Sequence, residues 1–280
     1  MTKNIIRYVS VYLIVYLVGL ALTFALPFIT QGNIQSLLWL SRIVLFLPTL
    51  AMFIMLLCDR KFDVVALVTT LFTGLATPLL YFVCPNGYRK YAILLSICPL
   101  LTMLSWIPAL NRLNPAHLTQ AVVNIIVVVF LAIEAKKKGM AIVPWICIIG
   151  IVYPACAVLL HYAYTSDECR PGHLASFNRY IVPTGIVAAL TFGFNAFFMV
   201  TATMPSRACL MLKPAFVALL GILVCILMFC DKRFRGIPGR VWLFLTGLIL
   251  PSIAFPAAVH CYLDTDTSGL VEELPSEAVK

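Results

Sequence analysis

Apolar runs about twenty residues long, separated by short polar breaks, fill this sequence from its tenth residue almost to its end. A helix needs about 20 apolar residues to cross a hydrocarbon core of about 30 Å. Of the 280 residues 62% are hydrophobic and only 11% charged, against about 45–50% and about 25% in soluble domains. Such a chain has too little polar surface to cover a water-soluble core of this size. A soluble enzyme, a disordered chain and a disulfide-rich secreted module are thereby excluded. The sequence predicts an all-α, polytopic transmembrane helix bundle.

Candidate spans lie near 8–29, 36–58, 64–84, 91–110, 118–135, 141–164, 181–204, 210–230 and 241–262, which makes nine. The fifth is the weakest, because its core at 121–135 is short and valine-rich; if it is re-entrant, eight spans remain. Lys3 and Arg7 precede an apolar stretch over 9–29. That is longer than the roughly 7–15 residues of a signal-peptide core, so a retained first span is expected. The transmembrane domain is read as 1–262. Residues 263–280, with Asp264, Asp266, Glu272, Glu273 and Glu277, are read as an acidic, disordered tail.

The sequence resembles itself. Ala21-Leu22-Thr23-Phe24 recurs as Ala189-Leu190-Thr191-Phe192, and Cys58-Asp59-Arg60-Lys61-Phe62 as Cys230-Asp231-Lys232-Arg233-Phe234. Thr73-Gly74-Leu75 with Pro78 recurs as Thr246-Gly247-Leu248 with Pro251. A weaker middle copy has Glu134 followed by Lys136, Lys137 and Lys138, then Gly150 and Pro154. Three repeated three-helix units follow, about 8–85, 91–165 and 180–262, the middle one inverted because each unit holds an odd number of spans.

The net charge is +9, from 20 Lys and Arg against 11 Asp and Glu. The charges stand in twos and threes between apolar runs. That pattern suits loops facing anionic lipid and leaves no continuous face for nucleic acid. With the N-terminus cytoplasmic in a cell membrane, nine spans put eleven basic residues inside and eight outside, and the C-terminal tail outside. The lysines at 136–138 are what weaken the bias. The same topology sets Cys84 and Cys261 on the outer side, and Cys58 and Cys230 on the inner one.

Ionisable groups inside spans are functional candidates because burying them in lipid costs about 2.5–3.5 kcal/mol on insertion scales. Arg42 is a candidate for an anion or headgroup contact, or for snorkelling beside Trp39. His161 and His260, each near the end of its unit's third helix, are candidates for a proton relay or for interfacial hydrogen bonds. Asn124 and Asn195 suit either a solute path or bonds between helices. In the three Gly-to-Pro motifs (Gly74 and Pro78, Gly150 and Pro154, Gly247 and Pro251) each proline clashes with the carbonyl of its glycine, four residues back. These are candidate kinks, serving as hinges round a site or as fixed packing devices.

No Cys-x-x-Cys pair, zinc-protease motif, nucleophile elbow or phosphate loop occurs, so no metal, cofactor or catalytic residue is indicated. The reading is a transporter- or channel-like protein for a small neutral or amphipathic solute. A non-transporting membrane subunit is the alternative, and a lipid-modifying enzyme the third. Its partners are membrane lipid and other membrane proteins or further copies of the chain.

Overall fold

The structure, a computed structural model, describes residues 2–29, 34–59, 63–84, 87–107, 109–110, 117–138, 143–165 and 236–272, with scattered positions between 181 and 234. Its regular elements there are helices: α1 (Thr2–Ile29), α2 (Ile34–Asp59), α3 (Val64–Thr73), α4 (Ala76–Val83), α5 (Tyr88–Leu104), α6 (His117–Lys137), α7 (Val143–Val152), α8 (Pro154–Thr165), α9 (Arg240–Ile249) and α10 (Pro251–Glu272). The chain divides into two compact units. One covers 4–114, and the other 115–280 with 1–3. The boundary falls inside the expected second repeat, 91–165. The expected spans 181–204 and 210–230, and with them the full comparison of the first and third repeats, lie mostly outside the described residues.

Among the described residues three helices are long and apolar enough to cross a membrane, namely α1, α2 and α6. In α1 the residues Ile5, Tyr8, Val9 and Leu13 recur at helical spacing and are buried, while Ile14, Leu17, Val18 and Phe24 are exposed. A helix apolar on every side is at home in lipid and not in water. The run that is weakest in sequence, 118–135, becomes the unbroken 21-residue α6.

The runs 64–84, 141–164 and 241–262 differ from expectation. Each forms two helices that fold back on one another. In the first, the Thr77 hydroxyl lies 3.2 Å from that of Thr69. Eight residues along one straight helix would set these about 12 Å apart. The open ends of the pair come together as well, where Arg89 Nε meets Asp63 Oδ2 at 2.7 Å. In the second, a methyl placed on Gly150 would stand 3.3 Å from the Ala157 methyl, seven residues on. In the third, the Phe234 and Tyr262 rings on either side of the turn lie 6.0 Å apart. The helices of the first pair have 10 and 8 residues. At 1.5 Å per residue they reach about 15 and 12 Å, half a bilayer core.

The three turns are made in two ways. Gly74 turns the first itself, at φ 58°, with its N–H still bonded to Thr70 O. Pro78 then falls in the first turn of α4, where its missing donor costs nothing. The other two turn at the residue before the proline, Tyr153 and Leu250. The proline ring disfavours helical geometry there, and Leu250 takes φ −128°, ψ 64°.

The returning arms hold the longest runs of buried residues among those described. Ala76 to Leu80 in α4 are all buried, as are Cys156 to His161 in α8 and Ala257 to Cys261 in α10. Each returning arm is sheathed by protein.

Two further expectations change. The back-folded pair brings residue 84 to the end of the unit that holds Asp59. Phe82 stacks edge-on against Tyr8 at 5.3 Å, and the Tyr8 hydroxyl donates to Asp59. Cys84 therefore shares an end with Cys58. The last helix continues to Glu272, past the tail's expected start at 263, and Thr2 donates its N–H to Asp264 at 2.7 Å. Residues 273–280 lie outside the described residues.

Asp63 ties the base of the first pair. Its carboxylate caps α3 by accepting from Ala66 N–H and also pairs with Arg89. Partial burial pushes this carboxyl up; the neighbouring Tyr88 hydroxyl, the Ala66 N–H and the Arg89 guanidinium outweigh that and hold it below its usual range. A lowered carboxylate pKa stabilises the fold above the unfolded value, near 3.9, and the contribution is lost as pH falls through the folded value.

Replacing Asp63 by Ala is expected to cost about 1–2 kcal/mol, and by Asn less, because Asn still caps. The difference between wild type and D63N should disappear on acidification below about pH 4. Thermal unfolding in detergent across pH measures both. A methyl on Gly150 would stand 2.7 Å from Val128 Cγ2, so G150A is expected to lower the midpoint by several degrees, at about 1–3 kcal/mol of overpacking. Among the described residues nothing stands within 4 Å of a methyl on Gly193, and G193A should not lower the midpoint.

Candidate functional site

The tip of the first helix pair gathers hydroxyl groups. Thr69, Thr73 and Thr77 recur every four residues, so in a straight helix they would form a stripe. The turn at Gly74 folds the stripe onto itself. Thr73 and Thr77 hydroxyl oxygens come to 2.6 Å, and Thr77 donates to Thr69 at 3.2 Å. Thr69 donates onward to Val65 O at 2.7 Å, and Thr70 to Ala66 O at 2.7 Å. Thr69, Thr70 and Thr77 are buried.

A hydroxyl has one proton and two lone pairs. Thr73 also has Thr69 O at 3.0 Å, so whichever of Thr73 and Thr77 donates in their contact, every proton has an acceptor within the cluster and lone pairs remain. The cluster thus offers acceptors and suits a guest that donates hydrogen bonds. Further oxygens stand beside it. A methyl on Gly74 would lie 3.4 Å from the Thr49 hydroxyl of α2 and 3.4 Å from the Tyr12 ring of α1. The ends of α3 and α4 add backbone groups that neither helix can close internally.

In the other unit, Asn124 of α6 donates to Ile151 O at 2.7 Å and accepts from Gln120. Ile151 is among the last four residues of α7, whose carbonyls have no partner further along that helix. Asn124 therefore closes the end of an interrupted helix. Gly150 beside it lets α6 approach, since Val128 occupies the space a side chain would take.

His161 is fully buried, with Nε2 3.6 Å from Glu134 Oε2, and the Tyr162 hydroxyl donates to the same oxygen at 3.2 Å. His260 lies 3.0 Å from Leu159 O, which requires Nε2 to carry the proton. The two histidines thus have different partners among the described residues: Glu134 stands beside His161 and Leu159 O beside His260. Among the described residues no three His, Cys, Asp or Glu side chains come together as a metal set. Arg42 lies between two indoles, 5.3 Å from the centroids of Trp39 and Trp106. Pro251 opens α10, while Thr246 and Gly247 are buried in α9. Asn195 lies outside the described residues.

The threonine cluster, Glu134 beside His161, and Trp106 over Arg42 were not among the residues singled out from sequence. The four-residue spacing of Thr69, Thr73 and Thr77 was a readable signal. The other two join positions 27 and 64 residues apart and carry no local one. No protein-family model matches the chain, and no curated protein or solved structure was found to match it.

Proposed function

We propose that this chain is a multi-pass membrane protein of transporter or channel type. In this reading the threonine cluster at the first helix turn receives a small neutral or amphipathic solute bearing hydrogen-bond donors. The carrying observation is the fold-back of α3 and α4, which puts spare hydroxyl acceptors and open backbone groups at one buried point. Discontinuous helices meeting near mid-depth are how transporters build sites without charged side chains. The absence of a carboxylate from the cluster favours a neutral guest.

The topology that goes with this reading has six crossings and three re-entrant helix pairs. With the N-terminus inside, α1 leads out and α2 back in. The α3–α4 pair enters and leaves on the inner side, α5 leads out, and α6 returns. The second pair is again inner. The apolar runs near 181–204 and 210–230, expected to span from their sequence, supply the next out-and-back step in this reading, and the third pair ends inside. Of the twenty Lys and Arg, this leaves sixteen inside and three outside (Arg112, Arg207 and Lys213), with Arg42 within a span. Nine crossings gave eleven to eight. Lys136, Lys137 and Lys138, at odds with nine spans, come to the inner side. The Arg7–Asp59, Arg89–Asp63 and Thr2–Asp264 contacts each join groups that six crossings put on one side.

The test is solute flux through the full chain in liposomes, followed by light scattering with small polyols and amides as the panel. Thr77→Val keeps the shape and removes one acceptor, worth about 1 kcal/mol, or about fivefold in flux for a solute that donates to it. Thr73→Val should act in the same direction, and Thr265→Val, on α10, should have no effect. Protein-dependent flux that is indifferent to Thr77→Val and Thr73→Val, or no protein-dependent flux with any solute, would overturn the reading.

A further inference from the structure

Among the described residues Arg42 is the one basic residue more than two turns from either end of a long apolar helix, and the threonine cluster makes no use of it. Its guanidinium carbon is 5.3 Å from the ring centroids of two indoles, Trp39 one turn back on α2 and Trp106 just past the end of α5. Both distances are within cation–π range. Among the described residues Arg42 has no carboxylate and no hydrogen-bond acceptor. The indoles pin the cation without neutralising it, so its charge and its five donors remain available.

Depth narrows what can meet them. Asp59, the other end of α2, lies seventeen residues on, about 26 Å along the helix. Asp59 carries Arg7, and the Asp63–Arg89 pair marks the same end of the unit. With one charged band there and a hydrocarbon core of about 30 Å, Arg42 stands close to the opposite boundary of the core. Tryptophans gather at that level because their rings are apolar and their N–H is not. The surrounding Leu38, Trp39, Ile43 and Leu45 are exposed, as suits a surface that faces acyl chains.

We propose that Arg42, held between Trp39 and Trp106, binds the phosphate of a net-anionic phospholipid. A planar guanidinium matches two phosphate oxygens at once, and a fixed one loses less freedom on binding. The absence of a described acid beside it favours an anionic headgroup over a zwitterionic one, because no described carboxylate would receive an amine and the two indoles that could take a choline already hold the guanidinium. The exposed apolar rim accommodates the chains, which a free phosphate lacks.

The experiment is native mass spectrometry of the full chain purified in detergent and offered phosphatidylglycerol and phosphatidylcholine of equal chain length. Wild type should retain phosphatidylglycerol in preference by about tenfold, the scale of charge-assisted hydrogen bonds. Arg42→Gln should reduce the preference to parity. Arg42→Lys, which keeps the charge and loses the planar fork, should fall between. Trp106→Leu leaves the arginine intact and should also weaken the preference, so the proposal stays testable if Arg42→Gln does not fold. Millimolar inorganic phosphate should not displace the lipid, and displacement would overturn a lipid as the occupant. Equal retention of both lipids by wild type, or an unchanged preference in Arg42→Gln and Trp106→Leu, would overturn the site.

Discussion

Backbone amides and carbonyls that leave a helix inside a membrane must find partners within the protein, because hydrocarbon supplies none. This chain interrupts helices at 74–75, at 153 and at 250, and in the proposed membrane reading the described residues round each interruption answer to that constraint. The arm that follows each interruption is sheathed by protein, whereas α1 and α2 leave large apolar side chains exposed. Asn124 shows the constraint at the scale of one bond, since it reaches from an unbroken helix to a carbonyl at the end of a broken one. Gly150 allows that approach by having no side chain.

Folding a helix back on itself changes what the sequence can present at the turn. A stripe of threonines along a straight helix would satisfy itself turn by turn and face one direction. Folded at Gly74, the same stripe becomes a cluster in which three hydroxyls meet and all their protons are committed. The acceptor capacity left over is the chemistry the proposed site offers. It also explains how a chain with so few charges inside its spans can still have a polar centre.

Much of this was legible in the residues. The apolar runs located the long helices, and the Gly-to-Pro motifs stood at the interruptions. The direction of the chain after each interruption was not legible. A proline four residues after a glycine forbids a straight helix, yet a shallow bend and a full reversal begin from the same local clash. The deciding interactions are Arg89 on Asp63, Ala157 on Gly150 and Phe234 against Tyr262, and each joins positions whose meeting depends on the reversal itself. The lysines at 136–138 were the clue in hand: they were at odds with nine crossings and agree with six. Glu134 beside His161 was hidden for the same reason, since no spacing within one helix reports a neighbour on another.

The account turns on which side of the membrane the loops occupy. The most direct measurement is labelling of single-cysteine variants with a membrane-impermeant thiol reagent, in a background without the native cysteines, on sealed cells and again after permeabilisation. Arg89→Cys, Lys138→Cys and Arg112→Cys are the informative positions, because six crossings with re-entrant pairs and nine simple crossings assign all three to opposite sides. The account predicts that Arg112→Cys is labelled on sealed cells, and that Arg89→Cys and Lys138→Cys react only after permeabilisation. Labelling of Arg89→Cys and Lys138→Cys from outside, with Arg112→Cys protected, would contradict it.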